Sequence, residues 1–295
     1  MAELLVVIVN WQRPADTIEC IHSLKNAGAT AEEILLVDNG SQDSSVEQIL
    51  SAHSGIRVEC LPQNLGFAGG YNAGIAFALR SGVDHIFLLN NDTAIDPGAI
   101  KALRESGWDV AIPKILFYDQ PGKIWAAGAR WRLFPPAVVM NGYMRSDGLT
   151  YDHPRPLVYA TGCAIFARRQ VFEELGGFDQ NFESYMEDYD LFYRIYAAGY
   201  RVGYVPQARI YHKVSQTLGS QSPNRWRYLG RNTVLFYRKG DRFPAWMLWS
   251  YLGWFFAREM VKGNSRLFPA FWAGVKAGLT WVNDKDNAKI GTRTL

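Results

Sequence analysis

Apolar, often β-branched runs recur along the first 112 residues at 4–9, 34–37, 56–61, 86–89 and 110–112, with helix-like stretches between them. Strands alternating with helices in this way predict βαβ units and a parallel sheet covered on both faces. Pro14 stands where the first helix would open, with Asp16 in its first turn, and residues 43–45 offer a cap for the next helix. Both helices begin just after the carboxyl end of a strand. From 113 to 156 the pattern loosens into aromatic, Gly- and Pro-rich sequence, where Trp125, Trp131, Pro135 and Pro136 fit neither period. Order returns over 157–168, strand-like but broken at Thr161 and Gly162. A helix near 170–175 ends at Gly176 and Gly177, and another over 188–198 ends at Gly199. From Trp226 onward the chain is helical in character, with Trp, Phe and Tyr interleaved with Arg and Lys.

With 295 residues and 48% hydrophobic composition, the chain can bury a substantial core as one domain or as a domain with an appendage. A formal net charge of +3 creates no field that would draw the whole protein to nucleic acid. Cys20, Cys60 and Cys163 are far apart with no CxxC spacing, so neither a zinc site nor a disulfide framework is expected, and a reducing, cytoplasmic compartment is. The first ten residues have no basic leader and read as a buried strand, not an export signal. The apolar and aromatic run over 244–257 falls short of the roughly 20 residues that cross a bilayer and is closed by Arg258 and Glu259, so no membrane span is expected.

In open α/β sheets ligands bind outside the carboxyl ends of the strands, which aims Asn10, Asp38 and residues 90–92 at one crevice. Asp38 and Asn39 follow a strand, where a carboxylate can accept from a pyrimidine N–H; equally, they can close an ordinary Asx turn. The stretch 64–74, with Gly66, Gly69, Gly70 and Asn72, is a glycine-dense strand-to-helix junction that lets a phosphate reach backbone N–H groups. Close helix packing is the alternative use of those glycines. A dinucleotide fingerprint would need GxGxxG after the first strand, and the glycines here follow the third. Asn90, Asn91 and Asp92 end the fourth strand, and the carboxylate of Asp92 suits a hard cation such as Mg²⁺ or Mn²⁺ unless the group merely caps a helix near Pro97. Four acidic residues, Glu183, Glu187, Asp188 and Asp190, stand at a helix start. Favourable dipole interactions cover their charges but not the downstream His212. Glu187 and Asp188 are adjacent and point different ways, and Asp188 is the candidate proton acceptor.

The ordered set VIVNW, LVDNGS, NLGFAGGYNAG, LLNNDT, TGCAIFARR, FDQNFESYMEDYDLFYRIYAAGY and IYH resembles glycosyltransferase family 2 and, within it, the rhamnosyltransferase-like branch, over about 4–239. The resemblance implies an α/β GT-A fold, a Rossmann-like mixed sheet flanked by helices. A catalytic domain over 1–240 would divide into a nucleotide-sugar half over 1–112 and an acceptor half over 113–240, before a helical extension over 241–295. It implies a nucleotide diphosphate sugar donor and a glycan or lipid-linked acceptor. Asp38 would lie on the donor base, residues 66–72 near ribose and diphosphate, and Asn90, Asn91 and Asp92 where the family's DxD motif lies, with Asn90 replacing its first Asp. Asp92 would hold the metal with His212 as a further ligand. Asp188 in its Glu-Asp pair would be the general base of an inverting transfer, with Glu187 beside it. Trp125, Thr161 and Gly162 are the candidates for acceptor contact.

Trp246, Trp249, Tyr251, Trp254, Phe255 and Phe256, followed by Arg258 and Lys262, suggest an amphipathic surface continued by Phe268, Phe271, Trp272 and Trp281. Peripheral contact with the inner face of a membrane and packing onto the catalytic domain or a second subunit as a homodimer are its two readings. A nucleotidyltransferase would carry a basic, glycine-rich loop after the first strand, which residues 10–13 are not. A catalytically silent sugar-binding protein is the remaining alternative.

Overall fold

The computed structural model describes residues 3–182, 184–214 and 222–291, the side chains of Asp241 and of 282–291 excepted. Glu183 of the acidic run lies outside the described residues. β1 (Leu4–Asn10) buries five consecutive apolar side chains completely, the condition of a strand with helices on both faces. It pairs in parallel with β2 (Ile34–Asp38) on one side and β4 (His85–Asn90) on the other, and β3 (Arg57–Cys60) runs parallel beside β2. The parallel pattern read from the sequence holds for these four strands. Beyond β4 the sheet is mixed. The segment at 110–112 extends into β6 (Val110–Phe117), but β11 (Ala164–Arg168) separates it from β4 and is antiparallel to both. β12 (Val202–His212) runs parallel to β6, and its ends carry β10 (Arg155–Leu157) and β5 (Thr93–Ile95), both antiparallel to it.

The helices that follow strand ends begin where the polar signals stand: α1 at Pro14–Asn26, α2 at Ser45–Ala52 behind an Asp43 carboxylate that accepts from the Ser45 N–H at 3.1 Å, and α3 at Gly66–Ser81. α3 lies so close to the sheet that a Cβ on Gly70 would stand 2.8 Å from Val9 Cγ1, and one on Gly74 2.2 Å from Val7 Cγ1. Glycine is therefore required at both positions by packing. α4 (Ala99–Glu105), α5 (Arg169–Leu175) and α6 (Glu187–Ala197) complete the helices of this region.

The loosely patterned segment contains short strands, β7 (Ile124–Ala126) against β6 and the hairpin strands β8 (Ala129–Arg132) and β9 (Ala137–Met140). What organises its later part is a lysine. Lys114, fully buried in β6, donates to Asp147 at 2.7 Å and also to Asp152. Two carboxylates from an otherwise irregular stretch are thus tied to a central strand, as a buried ammonium requires.

The chain divides into two compact units. One comprises Met1–Arg130, Val139–Gln180 and Glu187–Ser215, and contains the sheet. The other comprises Trp131–Val138, Asn181–Met186 and Gln216–Leu295, and is built on α7 (Pro223–Arg238), α8 (Ala245–Val261) and α9 (Phe268–Gly291). There α7 and α9 meet backbone to backbone: a Cβ on Gly230 would stand 2.1 Å from the Phe271 carbonyl oxygen, and one on Gly274 2.0 Å from that of Arg227. Trp226, Phe255 and Phe271 form the aromatic centre of this unit, with the Phe255 and Phe271 rings stacked at 4.2 Å.

Candidate active site

Register brings the first candidates together. Asn10 is paired with Asp38 across β1 and β2, and Val9 with Asn90 across β1 and β4, so the polar residues that end three strands share one sheet edge. Asn10, fully buried, donates through Nδ2 to Asp38 Oδ1 at 3.0 Å and accepts from the Thr17 hydroxyl at 2.8 Å. The other Asp38 oxygen accepts from the Ser41 N–H at 2.9 Å. Each carboxylate oxygen has more than one lone pair, so Asp38 keeps acceptor capacity for a ligand N–H while its orientation is fixed.

Asn39 braces the glycine-rich junction. Its Oδ1 accepts from the Leu65 N–H at 2.9 Å, and its Nδ2 donates to Asn64 Oδ1 at 3.1 Å and the Gly66 carbonyl at 3.0 Å. Gly66 adopts φ +70°, which favours glycine, whereas a Cβ on Gly69 would stand 2.4 Å from Leu65 Cβ. A Cβ on Gly69 or Gly70 would meet close packing, and at the N-terminus of α3 the Gly66 N–H is donated to Asn64 Oδ1 at 2.8 Å. Asn72, expected near the diphosphate, has its amide held by the protein backbone. Both ends of its amide are engaged by the Phe178 backbone, at 2.8 and 2.7 Å, so it braces the turn after α5.

At the end of β4, Asn90 accepts from the Tyr71 hydroxyl at 3.1 Å and Asn91 donates to Thr17 Oγ1 at 2.9 Å. The antiparallel pairing of Thr93 with His212 then sets Asp92 beside the imidazole, with Asp92 Oδ1 3.2 Å from His212 Nε2. Burial alone would lower the His212 pKa, but Cys163 and the Asp92 carboxylate outweigh it and raise it to about 10. His212 Nδ1 is buried and has no hydrogen-bond partner among the described residues. Trp125, expected on the acceptor side, stands edge-on to the His212 ring at 4.6 Å. No cluster of three or more His, Cys, Asp or Glu suited to a metal occurs among the described residues. One carboxylate and one imidazole still fit a cation that completes its shell with phosphate oxygens and water, the ion taking the place of the proton between Asp92 Oδ1 and His212 Nε2.

At the start of α6, Asp188 Oδ2 accepts from the Gly162 N–H at 3.1 Å and Oδ1 from the Tyr189 N–H at 2.8 Å. Burial pushes the Asp188 pKa up, and these N–H groups partly oppose the rise. Glu187 is also pushed up, first by burial and then by the charge of Asp188, and its Oε2 is buried without a partner among the described residues. A Cβ on Gly162 would stand 3.1 Å from Phe67 Cζ, a tight approach, and 3.4 Å from Asp188 Cβ, so Gly162 packs closely against the base candidate. The next residue, Cys163, accepts through its carbonyl from the Asn90 N–H at 2.9 Å, and Thr161 Oγ1 accepts from the Cys163 N–H at 3.0 Å. Three consecutive residues therefore link Asp188 to the end of β4. Sequence reasoning missed Thr17, which joins Asn10 to Asn91, and Tyr71, which orients Asn90. Nothing local marks a helical threonine as such a bridge, whereas Tyr71 lies inside the glycine-rich motif.

A mixed sheet whose strand ends carry these polar groups, with an acidic helix start beside them, is the GT-A fold of nucleotide-sugar glycosyltransferases. The solved structure of GalNAc-T7 with UDP, GalNAc and Mn²⁺ has this fold with TM-score 0.59 at 16% identity, covering 81% of this chain and 50% of that one. S. aureus TarS 1–349 has it with TM-score 0.56 at 14% identity, covering 85% and 71%. The Glycosyl transferase family 2 profile matches residues 5–176, more than half of the chain, and the protein belongs to that family. It is 26% identical over 273 residues to the N-acetylglucosaminyl-diphospho-decaprenol L-rhamnosyltransferase of Mycobacterium tuberculosis, covering 83% of this chain and 87% of that protein.

Proposed function

We propose that this glycosyltransferase transfers a hexose, with rhamnose the leading choice, from a nucleotide diphosphate sugar to a hydroxyl of a glycan or lipid-linked acceptor, with inversion at the anomeric carbon. The observation that carries the reading is the short link from Asp188 through Gly162 and Cys163 to Asn90, which sets a buried carboxylate beside the strand ends expected to receive the donor diphosphate. The mycobacterial relative, named for an L-rhamnosyl transfer onto a diphospho-decaprenol, supports the sugar and the lipid-linked acceptor.

In this reading Asp38 accepts from the donor base, Asn39 holds the junction at 64–66 in shape, and the N-terminus of α3 receives the diphosphate. Asp92 and His212 would hold a divalent cation, Mg²⁺ or Mn²⁺, which when bound neutralises charge on the departing diphosphate. Asp188 takes the proton of the acceptor hydroxyl. That oxygen forms the new bond to the anomeric carbon from the face opposite the diphosphate, the sugar–phosphate C–O bond breaks, and its electron pair leaves with the nucleotide. Thr161 and Gly162 flank the base on the acceptor side, and Gly162 keeps Asp188 oriented. Burial and the charge of Asp188 both favour the protonated form of Glu187, which leaves Asp188 as the carboxylate that takes the proton.

The test is transfer from uridine, thymidine and guanosine diphosphate sugars to a detergent-solubilised polyprenyl-diphosphate glycan, with product configuration read by NMR. Release of nucleoside diphosphate together with an inverted linkage is expected. Retention, or no release from any donor, contradicts the reading.

A further inference from the structure

α8 has two unlike faces. Leu248, Leu252, Phe255 and Glu259 are buried, whereas Trp246, Trp249, Gly253, Ala257 and Met260 are exposed. These exposed positions succeed one another at intervals of three or four residues, so they form one stripe about 20 Å long at the helical rise of about 1.5 Å per residue. The stripe contains no charged or hydrogen-bonding side chain except the indole N–H groups. Trp246 and Trp249 each leave 51% of their surface open, and Val261 at the helix end leaves 90%. The structure thereby separates aromatics that the sequence grouped: Phe255 and Phe271 are interior, and Trp254 lies against the Arg132 and Arg258 guanidinium groups at 4.7 and 4.5 Å.

Charge separates along the chain in the same way. Residues 222–281 hold ten Arg and Lys against only Asp241 and Glu259, a net of +8, whereas residues 1–221 hold eighteen basic and twenty-four acidic side chains, a net of −6. The near-neutral total conceals a strongly basic helical segment. Within α8 itself Arg258 and Glu259 cancel, so the basic excess belongs to the segments before and after it; an exposed stripe bearing two tryptophans within such a segment suits the headgroup layer of an anionic bilayer, where indoles favour the interface and lysines and arginines meet lipid phosphates. A second copy docked on the same stripe would bring two segments of +8 together, and their repulsion disfavours that occupant.

We propose that α8 lies along the surface of an anionic membrane, with Trp246 and Trp249 in the headgroup layer. None of the described helices is long and apolar enough to cross a membrane, so the contact is interfacial. The inference draws on neither the base nor the cation assignment and stands or falls separately from them.

Sedimentation of the full chain with vesicles of phosphatidylcholine alone, and of phosphatidylcholine with phosphatidylglycerol, tests it. Binding at least about tenfold stronger to the anionic vesicles, and weaker at high salt, is expected. The double variant Trp246→Ser with Trp249→Ser should lose most of it. Gly253→Glu is the cleaner probe, because nothing lies within 4 Å of the Cβ it adds, so the fold is kept while a carboxylate enters the stripe. With unchanged thermal melting it should lower anionic-vesicle binding by about tenfold or more. Equal pelleting with both vesicle types, no pelleting at all, a Gly253→Glu variant that binds like the parent, or a dimer in velocity sedimentation that Gly253→Glu dissociates would each overturn the proposal.

Discussion

Two pairs of ionisable side chains share one unit of the molecule and respond to burial in opposite ways. Asp92 and His212 have opposite charge tendencies, so the neighbouring carboxylate raises the imidazole pKa although burial opposes it. Glu187 and Asp188 are like groups, so burial raises both, and for Glu187 the neighbour's charge adds to the rise. A neighbouring negative charge raises the pKa of both His212 and Glu187; burial opposes that rise at the imidazole and adds to it at the carboxyl. The first pair holds charges in place and suits exchange for a cation. The second holds a carboxylate with increased proton affinity, as a base working near neutral pH requires.

The contrast can be broken most severely at Asp188. Asp188→Asn should reduce transfer by about 10²–10⁴-fold, the usual contribution of a positioned base. Nucleotide affinity, measured by calorimetry, should stay within a few-fold because the amide preserves the shape. Undiminished transfer would remove Asp188 from the role. At the opposite pair, excess EDTA should abolish turnover and Mn²⁺ should restore it, while Asp92→Asn should weaken Mn²⁺-supported nucleotide binding by at least about tenfold, as loss of a charged metal ligand does. Full activity in EDTA would exclude the cation from the proposed scheme.

Acidity sharpens the comparison further. A base must be deprotonated to act, and the Asp188 pKa is raised, so activity should fall as pH drops through a value above the ordinary carboxylate range. An acidic limb of kcat/KM at the usual Asp position near pH 4 would contradict the burial argument. The smallest effect is expected at Glu187. If that carboxyl stays protonated through the working range, Glu187→Gln replaces one neutral group by another and should leave turnover within about threefold and the limb in place. A loss as large as that of Asp188→Asn would show the two roles to be reversed.

Much of the site was legible because each strand that carries it ends an apolar run with a polar residue. Asn10, Asp38 and Asn90 follow that rule, and the parallel register then brings them together. The adjacent Glu187 and Asp188 were equally plain, but their environment was not, since the Gly162 N–H that fixes Asp188 comes from 26 residues away. Long-range pairing hid the rest. Asp92 meets His212 because β5 runs antiparallel to the end of β12, a contact across 120 residues that no local pattern encodes. The insertion of β11 beside β4 has the same origin. Lys114 has no local motif around it, although a lysine inside the apolar run of β6 demands acidic partners, which Asp147 and Asp152 supply from a distance. At the glycines at 69, 70 and 74 two uses share one signature, and the distances to Leu65, Val9 and Val7 reveal the packing.

The central claim is that Asp188 and a cation held at Asp92 face one bound diphosphate from opposite sides. Crystals grown with a uridine or thymidine diphosphate and Mn²⁺, with diffraction recorded at the manganese edge, test it most directly. The account predicts an anomalous peak within coordinating distance of Asp92 and the diphosphate, with the Asp188 carboxylate across the vacant sugar position. Manganese bound elsewhere, or an Asp188 carboxylate turned to a different surface, would contradict it.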